Sequence, residues 1–316
     1  MQAELIVDAR NAVGESPVWV PEEGALYWVD IPVGGLQRWS AATGRVDAWK
    51  TPEMLACIAR HADGVWVAGM ESGFFRLHPR NDGSLDSERL AHVDHARADM
   101  RLNDGRCDRQ GRFWAGSMVL NMGANAADGT LYRYSAGQRG PIDAQLSGFI
   151  VPNGLGFSPD GRTMYLSDSH PLAQQIWAFD YDLDSGTPSN RRLFVDMNQF
   201  PGRPDGAAVD ADGCYWICGN DAGALLRFTP HGVLDRALKL PISKPSMCSF
   251  GGPALDELYV TSIIPGAPVS GFDAALDGAL LRLRPGVQGL PEAPFKSASV
   301  PISIPSAIPI QSKETT

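Results

Sequence analysis

Asn153-Gly-Leu-Gly-Phe-Ser-Pro-Asp-Gly-Arg-Thr-Met-Tyr-Leu-Ser-Asp168 has a second copy, Asp205-Gly-Ala-Ala-Val-Asp-Ala-Asp-Gly-Cys-Tyr-Trp-Ile-Cys-Gly219, and the two superimpose without a gap through the turn. Residues 103–116 form a third copy, and residues 15–30 form a fourth with one extra turn residue. Each copy has an apolar run, a Gly-containing turn suited to positive backbone dihedrals, and an aromatic-rich run suited to a pleated strand. The stretch is therefore a repeated strand-turn-strand unit.

The repeat extends over the chain with a period of about 40 to 50 residues, which is typical of propellers and solenoids. Two weaker copies pass through residues 56–68 and 247–261, which makes six copies. Helical periodicity is weak throughout, so an α/β alternation is disfavoured. We predict an all-β fold, a six-bladed β-propeller with four antiparallel strands in each blade.

The two ends of the chain bear on how such a ring closes. The extended segment 4–8 is predicted to supply a strand to the sixth blade. Residues 291–316 carry several prolines and cannot supply a central strand. We predict a single domain over residues 1–316, with a flexible tail after about residue 305.

Composition limits the class of protein and its partners. The 316 residues are 44% hydrophobic and 20% charged, with 34 glycines and 24 prolines, as expected of a turn-rich globular chain. A net charge of -9 without a basic stripe disfavours nucleic acid as a partner. The sequence has no signal-peptide pattern and no apolar run of about 18 residues. We expect a cytoplasmic protein with no membrane partner, a monomer or small homo-oligomer, whose five cysteines are free thiols.

Polar residues recur at one place in the repeat. Asn103, Asn153 and Asp205 each stand eight positions before the turn glycine of their copy, and Glu15 stands nine before its own. Since the first strand of each blade lines the central channel of a propeller, equivalent positions converge on one axis. Two carboxylates brought together in an otherwise apolar channel repel each other unless they are protonated or bridged by a cation. The pattern predicts a site for one divalent cation.

Turn formation is the competing interpretation, because Asn, Asp and Gly are common in the turns of β-proteins. It accounts for any single residue of the set, but it explains neither Glu15 nor the shared register. Carboxylate and amide oxygens suit Ca²⁺, Mg²⁺, Mn²⁺ or Fe²⁺, and Zn²⁺ also accepts carboxylate oxygen, so the identity of the cation stays open. Such a cation polarises a carbonyl and lowers the pKa of a water molecule, as ester hydrolysis requires.

Seven short motifs stand in order along nearly the whole chain. They are Gly14-Glu-Ser-Pro-Val-Trp19, Arg101-Leu-Asn-Asp-Gly105, Gly116-Ser-Met118, Pro152-Asn-Gly-Leu155, Phe179-Asp-Tyr-Asp182, Pro204-Asp-Gly206 and Cys248-Ser-Phe-Gly-Gly252. In order and spacing they resemble the senescence-marker-protein/gluconolactonase/regucalcin family of sugar lactonases.

The resemblance implies a six-bladed propeller with one divalent cation at the mouth of the channel, held at the positions of Glu15, Asn153 and Asp205. It also implies that Asp205 acts as the acid/base, and that Arg101 and Asn103 hold the hydroxyl groups of the sugar. A guanidinium that only donates hydrogen bonds, beside an amide that both donates and accepts them, suits a polyhydroxylated ligand.

The chain departs from the family pattern after Gly116-Ser-Met118. Some relatives have an acidic residue shortly after this motif that contacts substrate, whereas Asn121 is the polar residue here. Asn121 either binds substrate through a neutral hydrogen bond in place of a charge-assisted one or is simply a loop residue. Which sugar lactone is used is therefore not predicted.

We predict a metal-dependent hydrolase that opens a sugar lactone, an aldono-1,4- or 1,5-lactone, to the aldonic acid in carbohydrate catabolism. The cation would bind the carbonyl oxygen, and Asp205 would accept and donate the proton. Asp168 is a further candidate for supporting the site. Two alternatives remain open. One is a metal-dependent esterase or phosphotriesterase on the same fold, and the other is a non-enzymatic propeller that binds calcium or another ligand.

Overall fold

Six four-stranded antiparallel sheets form a ring in the computed structural model, which describes residues 2–61 and 64–296. The predicted six-bladed β-propeller with four strands per blade is confirmed. The tail after about residue 305, predicted to be flexible, lies outside the described residues. Within the described ranges, no helix is long and apolar enough to cross a membrane.

The first three blades take up the N-terminal half of the chain. Blade 1 contains β2 (Gly14–Val20), β3 (Ala25–Asp30), β4 (Gly35–Ser40) and β5 (Val46–Lys50). Blade 2 contains β6 (Leu55–Arg60), β7 (Trp66–Met70), β8 (Gly73–Pro79) and β9 (Leu85–His92). Blade 3 contains β10 (Met100–Cys107), β11 (Phe113–Val119), β12 (Gly129–Tyr134) and β13 (Ala144–Phe149).

The other three blades continue in the same order, and 3₁₀ turns lie between some of the strands. Blade 4 contains β14 (Pro152–Phe157), β15 (Thr163–Asp168), β16 (Gln175–Tyr181) and β17 (Pro188–Asp196). Blade 5 contains β18 (Arg203–Val209), β19 (Tyr215–Asn220), β20 (Ala224–Phe228) and β21 (Leu234–Lys239). Blade 6 contains β22 (Pro245–Gly251), β23 (Glu257–Ser262), β24 (Leu280–Leu283) and β1 (Glu4–Val7). The 3₁₀ turns are Met122–Ala124, Met197–Gln199 and Ala274–Leu276.

Strand β1 closes the ring by pairing with β24, which confirms the prediction that segment 4–8 supplies a strand to the sixth blade. Apolar packing seals the same junction, because Trp19 of blade 1 stacks on Tyr259 of blade 6 with ring centroids 5.7 Å apart. Trp28 and Leu280 are fully buried in this cluster. Burying such large apolar side chains holds the first and last blades together, and it fixes β2 in place.

The first strand of each blade lines the channel, and consecutive inner strands contact each other around the ring, from β22 back to β2. Each inner strand loses its pairing register near its beginning. The breaks lie between Glu15 and Val18, Leu55 and Cys57, Leu102 and Gly105, Asn153 and Gly156, Pro204 and Ala207, and Pro245 and Cys248. Such bulges re-aim side chains. Four of the predicted site residues, Glu15, Asn103, Asn153 and Asp205, therefore stand at or within these breaks in regular pairing.

Candidate active site

Asn153 and Asp205 meet in the channel, although 52 positions separate them in the sequence. Asn153 Nδ2 donates a hydrogen bond to Asp205 Oδ1 over 2.5 Å, and both side chains are buried. The backbone around Asn153 requires glycine, because a Cβ on Gly154 would lie 2.5 Å from the Tyr215 hydroxyl and 2.7 Å from Ser167 Oγ. The main-chain oxygen of Gly154 accepts a hydrogen bond from Tyr215. Blade 5 therefore holds the strand that presents Asn153.

Glu15 faces the same channel from blade 1. The next residue, Ser16, has a φ of 50°, which is uncommon for a residue with a side chain, and its Oγ accepts a hydrogen bond from Ile58 N over 3.0 Å. Blade 2 therefore holds the bulge that follows Glu15. Backbone strain kept in place by neighbouring structure is characteristic of functional sites.

Three buried carboxylates shape the charge of the channel. Burial raises the pKa of Glu15 well above its usual value, and the negative charges of Asp205 and Asp104 raise it further. Burial also raises the pKa of Asp205 to about 7, against the opposing effects of Arg203 and of the hydrogen bonds from Asn220 and Asn153. The channel therefore brings several carboxyl groups together, and their ionised forms are unfavourable unless a counter-ion is present.

Asp104 is a site residue that the repeat analysis passed over. Its Oδ2 accepts a hydrogen bond from Leu155 N over 2.8 Å, and burial raises its pKa. Its Oδ1 is buried and has no hydrogen-bond partner among the described residues. The sequence feature that could have identified Asp104 is its position directly after Asn103, on the same inner strand β10.

Arg101 brings a positive charge to the carboxylates. Burial lowers the pKa of its guanidinium to about 10, and Glu15 and Asp205 counteract that effect. Its Nη1 donates to the main-chain oxygen of Leu102 over 2.8 Å and to Asn103 Oδ1 over 2.9 Å. In the described part of the chain, no carboxylate lies within ion-pair distance of Arg101. Its remaining donors are therefore available to a ligand.

Asn103 lies between Arg101 and the neighbouring blade. It accepts from Arg101, and its Nδ2 donates to the main-chain oxygen of Pro152 over 3.1 Å. The structure thus brings Arg101 and Asn103 together. Their binding of sugar hydroxyls stays a prediction.

Asn220 is a second residue that sequence reasoning missed. It ends β19, it is buried, and its Nδ2 donates to Asp205 Oδ2 over 2.5 Å. Asn153 and Asn220 thus hold one carboxylate oxygen of Asp205 each.

Asp168 lies at the end of β15 and caps a loop. Its Oδ2 accepts from Ile150 N over 2.7 Å, and its Oδ1 accepts from Val151 N over 3.0 Å. Asp168 therefore supports the chain that leads into β14, and through it Asn153.

Asn121 lies at the N-terminus of the turn Met122–Ala124, outside the inner strands that carry the other predicted site residues. Its side chain is exposed, and its Oδ1 accepts from Gly123 N over 3.1 Å. The adjacent main-chain oxygen of Met122 lies 3.2 Å from His170 Nε2 of blade 4. The turn is thus attached to blade 4, and a role for Asn121 in binding substrate stays a prediction.

Comparison with known proteins places this geometry in a family. Residues 13–264 match the family model described as SMP-30/Gluconolactonase/LRE-like region. The chain belongs to this family. The match covers all six inner strands, and therefore every site residue described above.

Members of the SMP-30/gluconolactonase/LRE-like family resemble the chain over most of its length. A 6-deoxy-6-sulfogluconolactonase from Pseudomonas putida is 37% identical over 92% of this chain and 98% of its own. A regucalcin from Xenopus laevis is 34% identical over 84% of this chain and 88% of its own. Among solved structures, a luciferin-regenerating enzyme superposes with a TM-score of 0.86 at 28% identity, over 93% of this chain and 99% of that one.

The donor set can be tested for its fit to the divalent cation that the resemblance to this family implies. No group of three or more His, Cys, Asp or Glu side chains in the described ranges is arranged to hold a metal ion. The fit therefore depends on two carboxylates and the Asn153 amide, which are hard oxygen donors. Glu15 and Asp205 are buried, and neither forms an ion pair within the described part of the chain. These residues fit a small divalent cation, because it would relieve the repulsion between the two carboxylates.

Proposed function

We propose that the protein is a metal-dependent hydrolase that opens a sugar lactone to its aldonic acid. One observation carries the proposal: the buried carboxylates of Glu15 and Asp205 and the amide of Asn153 lie on inner strands of one channel, with Arg101 beside them. Family membership agrees with it, since a relative 37% identical over 92% of the chain is named as a lactonase.

Glu15, Asn153 and Asp205 would hold the divalent cation, which stays unassigned among Ca²⁺, Zn²⁺, Mn²⁺, Mg²⁺ and Fe²⁺. When bound, the cation would polarise the lactone carbonyl and lower the pKa of a nearby water molecule. Asp205 accepts a proton from the attacking water as the new C–O bond forms at the carbonyl carbon. The proton then passes to the ring oxygen as the ester C–O bond breaks, which yields the acid and a free hydroxyl group.

Substrate binding falls to the residues around the carboxylates. Arg101 Nη1 donates to Asn103 Oδ1 and to the main-chain oxygen of Leu102, which leaves the other donors of the guanidinium for a ligand, so this pair would orient the sugar hydroxyls. Asn121 would contact the far end of the sugar from the turn attached to blade 4. We assign the activity to carbohydrate catabolism in the cytoplasm, with which the five free, buried cysteines agree.

The test is proton release from a panel of aldonolactones by metal-stripped protein, with each of the five cations restored separately and spontaneous hydrolysis subtracted. The panel includes pentono-, hexono- and deoxyhexonolactones, and 6-deoxy-6-sulfogluconolactone because of the named relative. We expect metal-dependent turnover of at least one lactone. Tight cation binding without turnover of any lactone would favour the esterase, phosphotriesterase or binding-protein alternative. Turnover that survives complete removal of metal would exclude the mechanism.

Arg101→Met is expected to weaken lactone binding and to strengthen cation binding at the same time. Loss of charge-assisted hydrogen bonds should raise KM by about 10- to 100-fold. Loss of a positive charge beside Glu15 and Asp205 should lower the Kd for the cation several-fold. Steady-state kinetics and cation titration measure the two effects. The control is Arg45→Met, at an exposed ion pair with Asp47, which should change neither value. An unchanged KM in Arg101→Met would remove Arg101 from the substrate site.

A further inference from the structure

Three blades carry a polar residue at the same place at the end of their second strand. Each stands fifteen positions after a predicted cation ligand. The pairs are Glu15 with Asp30, Asn153 with Asp168, and Asp205 with Asn220. In the sheets, the three residues pair across to Gly14, Pro152 and Arg203, near the beginning of each inner strand. The three residues are equivalent in sequence spacing, but Gly14 and Pro152 directly precede a predicted ligand whereas Arg203 stands two residues before Asp205, so the pairing register of blade 5 differs by one residue. Among the three, only blade 5 has an amide.

In blades 1 and 4 this position has a structural task. Asp30 accepts hydrogen bonds from Ala12 N over 3.0 Å and from Val13 N over 2.9 Å. Asp168 accepts in the same way from Ile150 N and Val151 N. Both carboxylates cap the loop that enters the inner strand of their own blade, and they face main-chain donors.

In blade 5, Asn220 contacts the side chain of Asp205 instead of main-chain donors. It is 1% exposed, and it donates through Nδ2 to Asp205 Oδ2 over 2.5 Å. Its Oδ1 has no hydrogen-bond partner among the described residues, which is unfavourable for a buried acceptor. An aspartate here has no proton to donate when ionised and would repel Asp205. The hydrogen bond to Asp205 therefore accounts for an amide at this position.

We propose that Asn220 is a positioning residue for Asp205. Hydrogen bonds from Asn153 to Oδ1 and from Asn220 to Oδ2 restrict rotation of the carboxylate, and they thereby orient its remaining lone pairs. Removal of Asn220 leaves one anchor and allows the carboxylate to turn. The inference rests on the proposed function, because it assigns Asp205 the task of holding the cation and the proton. Residues that orient the ligands of a metal commonly contribute 10- to 100-fold to metal affinity or activity.

The test uses Asn220→Leu, which removes the donor at nearly constant volume. We expect Mn²⁺ to bind the metal-stripped full-length variant about 10- to 100-fold more weakly, by calorimetric titration and by electron paramagnetic resonance. At saturating Mn²⁺, kcat for the lactone identified by the panel should fall while KM changes little, because Asn220 would not touch the substrate. Asn220→Ala is measured in the same way if the leucine variant does not fold.

Ser262→Ala is the matched control. Ser262 pairs with Pro245 at the same position in blade 6, which contributes no predicted cation ligand, and its hydroxyl donates to the main-chain oxygen of Ala279 over 2.7 Å. This variant should lose thermal stability and keep its Mn²⁺ affinity. If Asn220→Leu behaves like Ser262→Ala, Asn220 is structural and the inference is wrong. If the wild-type protein itself does not bind Mn²⁺ or another cation of the panel, the proposed metal site fails instead, so the two failures are distinguishable.

Discussion

Asp205→Ala is expected to lower metal-dependent lactone hydrolysis by at least about 10³-fold while the propeller stays folded. The substitution removes a cation ligand and the acid/base together. It also removes the shared partner of Asn153 and Asn220. The fold should survive, because the carboxylate is buried against charge repulsion and is not part of the apolar packing between blades. Initial rates on the lactone identified by the panel, at saturating cation, measure the loss.

Asp212→Ala is the control for this experiment, since Asp212 lies in the same blade but its side chain is exposed beside Arg227. It should retain wild-type rates. Circular dichroism and thermal unfolding establish that both variants are folded. Wild-type activity in folded Asp205→Ala would remove Asp205 from the mechanism. A loss of activity that is matched by a loss of folded protein would call for Asp205→Asn, which keeps the volume and removes the charge.

The fold followed from the sequence because a propeller repeats both its strands and its turns. A tyrosine- or tryptophan-rich strand after each turn glycine indicated the second strand of a blade, and all six copies fell on second strands. Equivalent positions on inner strands then had to face one channel. That argument brought Asn153 and Asp205 together before any distance was known, and the structure has them in contact.

Asn220 and Asp104 were missed for a physical reason. Repeat alignment places a residue on a strand, but the bulges decide where its side chain points, and the register of β18 breaks between Pro204 and Ala207. The direction of Asp205, and so its contact with Asn220, depends on that break. Comparison of Asp30, Asp168 and Asn220 at equal spacing would have shown the exchange of an aspartate for an asparagine. For Asn121 the alignment gave no position at all, because it lies in a turn outside the repeat.

Glu15→Gln is expected to stabilise the metal-free protein and to weaken cation binding by about 100-fold or more. In the absence of a cation, burial and the neighbouring charges of Asp205 and Asp104 disfavour the ionised form of Glu15. A neutral amide of the same shape avoids that cost. The metal-free variant should gain about 1–2 kcal/mol, or roughly 2–6 °C in Tm. Thermal unfolding with and without cation measures both effects.

The order of stability should reverse when cation is added. At a concentration about 100 times the wild-type Kd, the wild-type protein gains about 2.7 kcal/mol from binding, whereas a variant that binds about 100-fold more weakly gains about 0.4 kcal/mol. Glu257→Gln is the contrasting control, because Glu257 is buried but bonded to Arg282 and Arg284. Neutralising Glu257 removes the negative charge that faces Arg282 and Arg284, so the variant should be less stable than wild type with or without metal. If Glu15→Gln destabilised the metal-free protein in the same way, Glu15 would be a structural carboxylate. Its burial would then not be explained by cation binding.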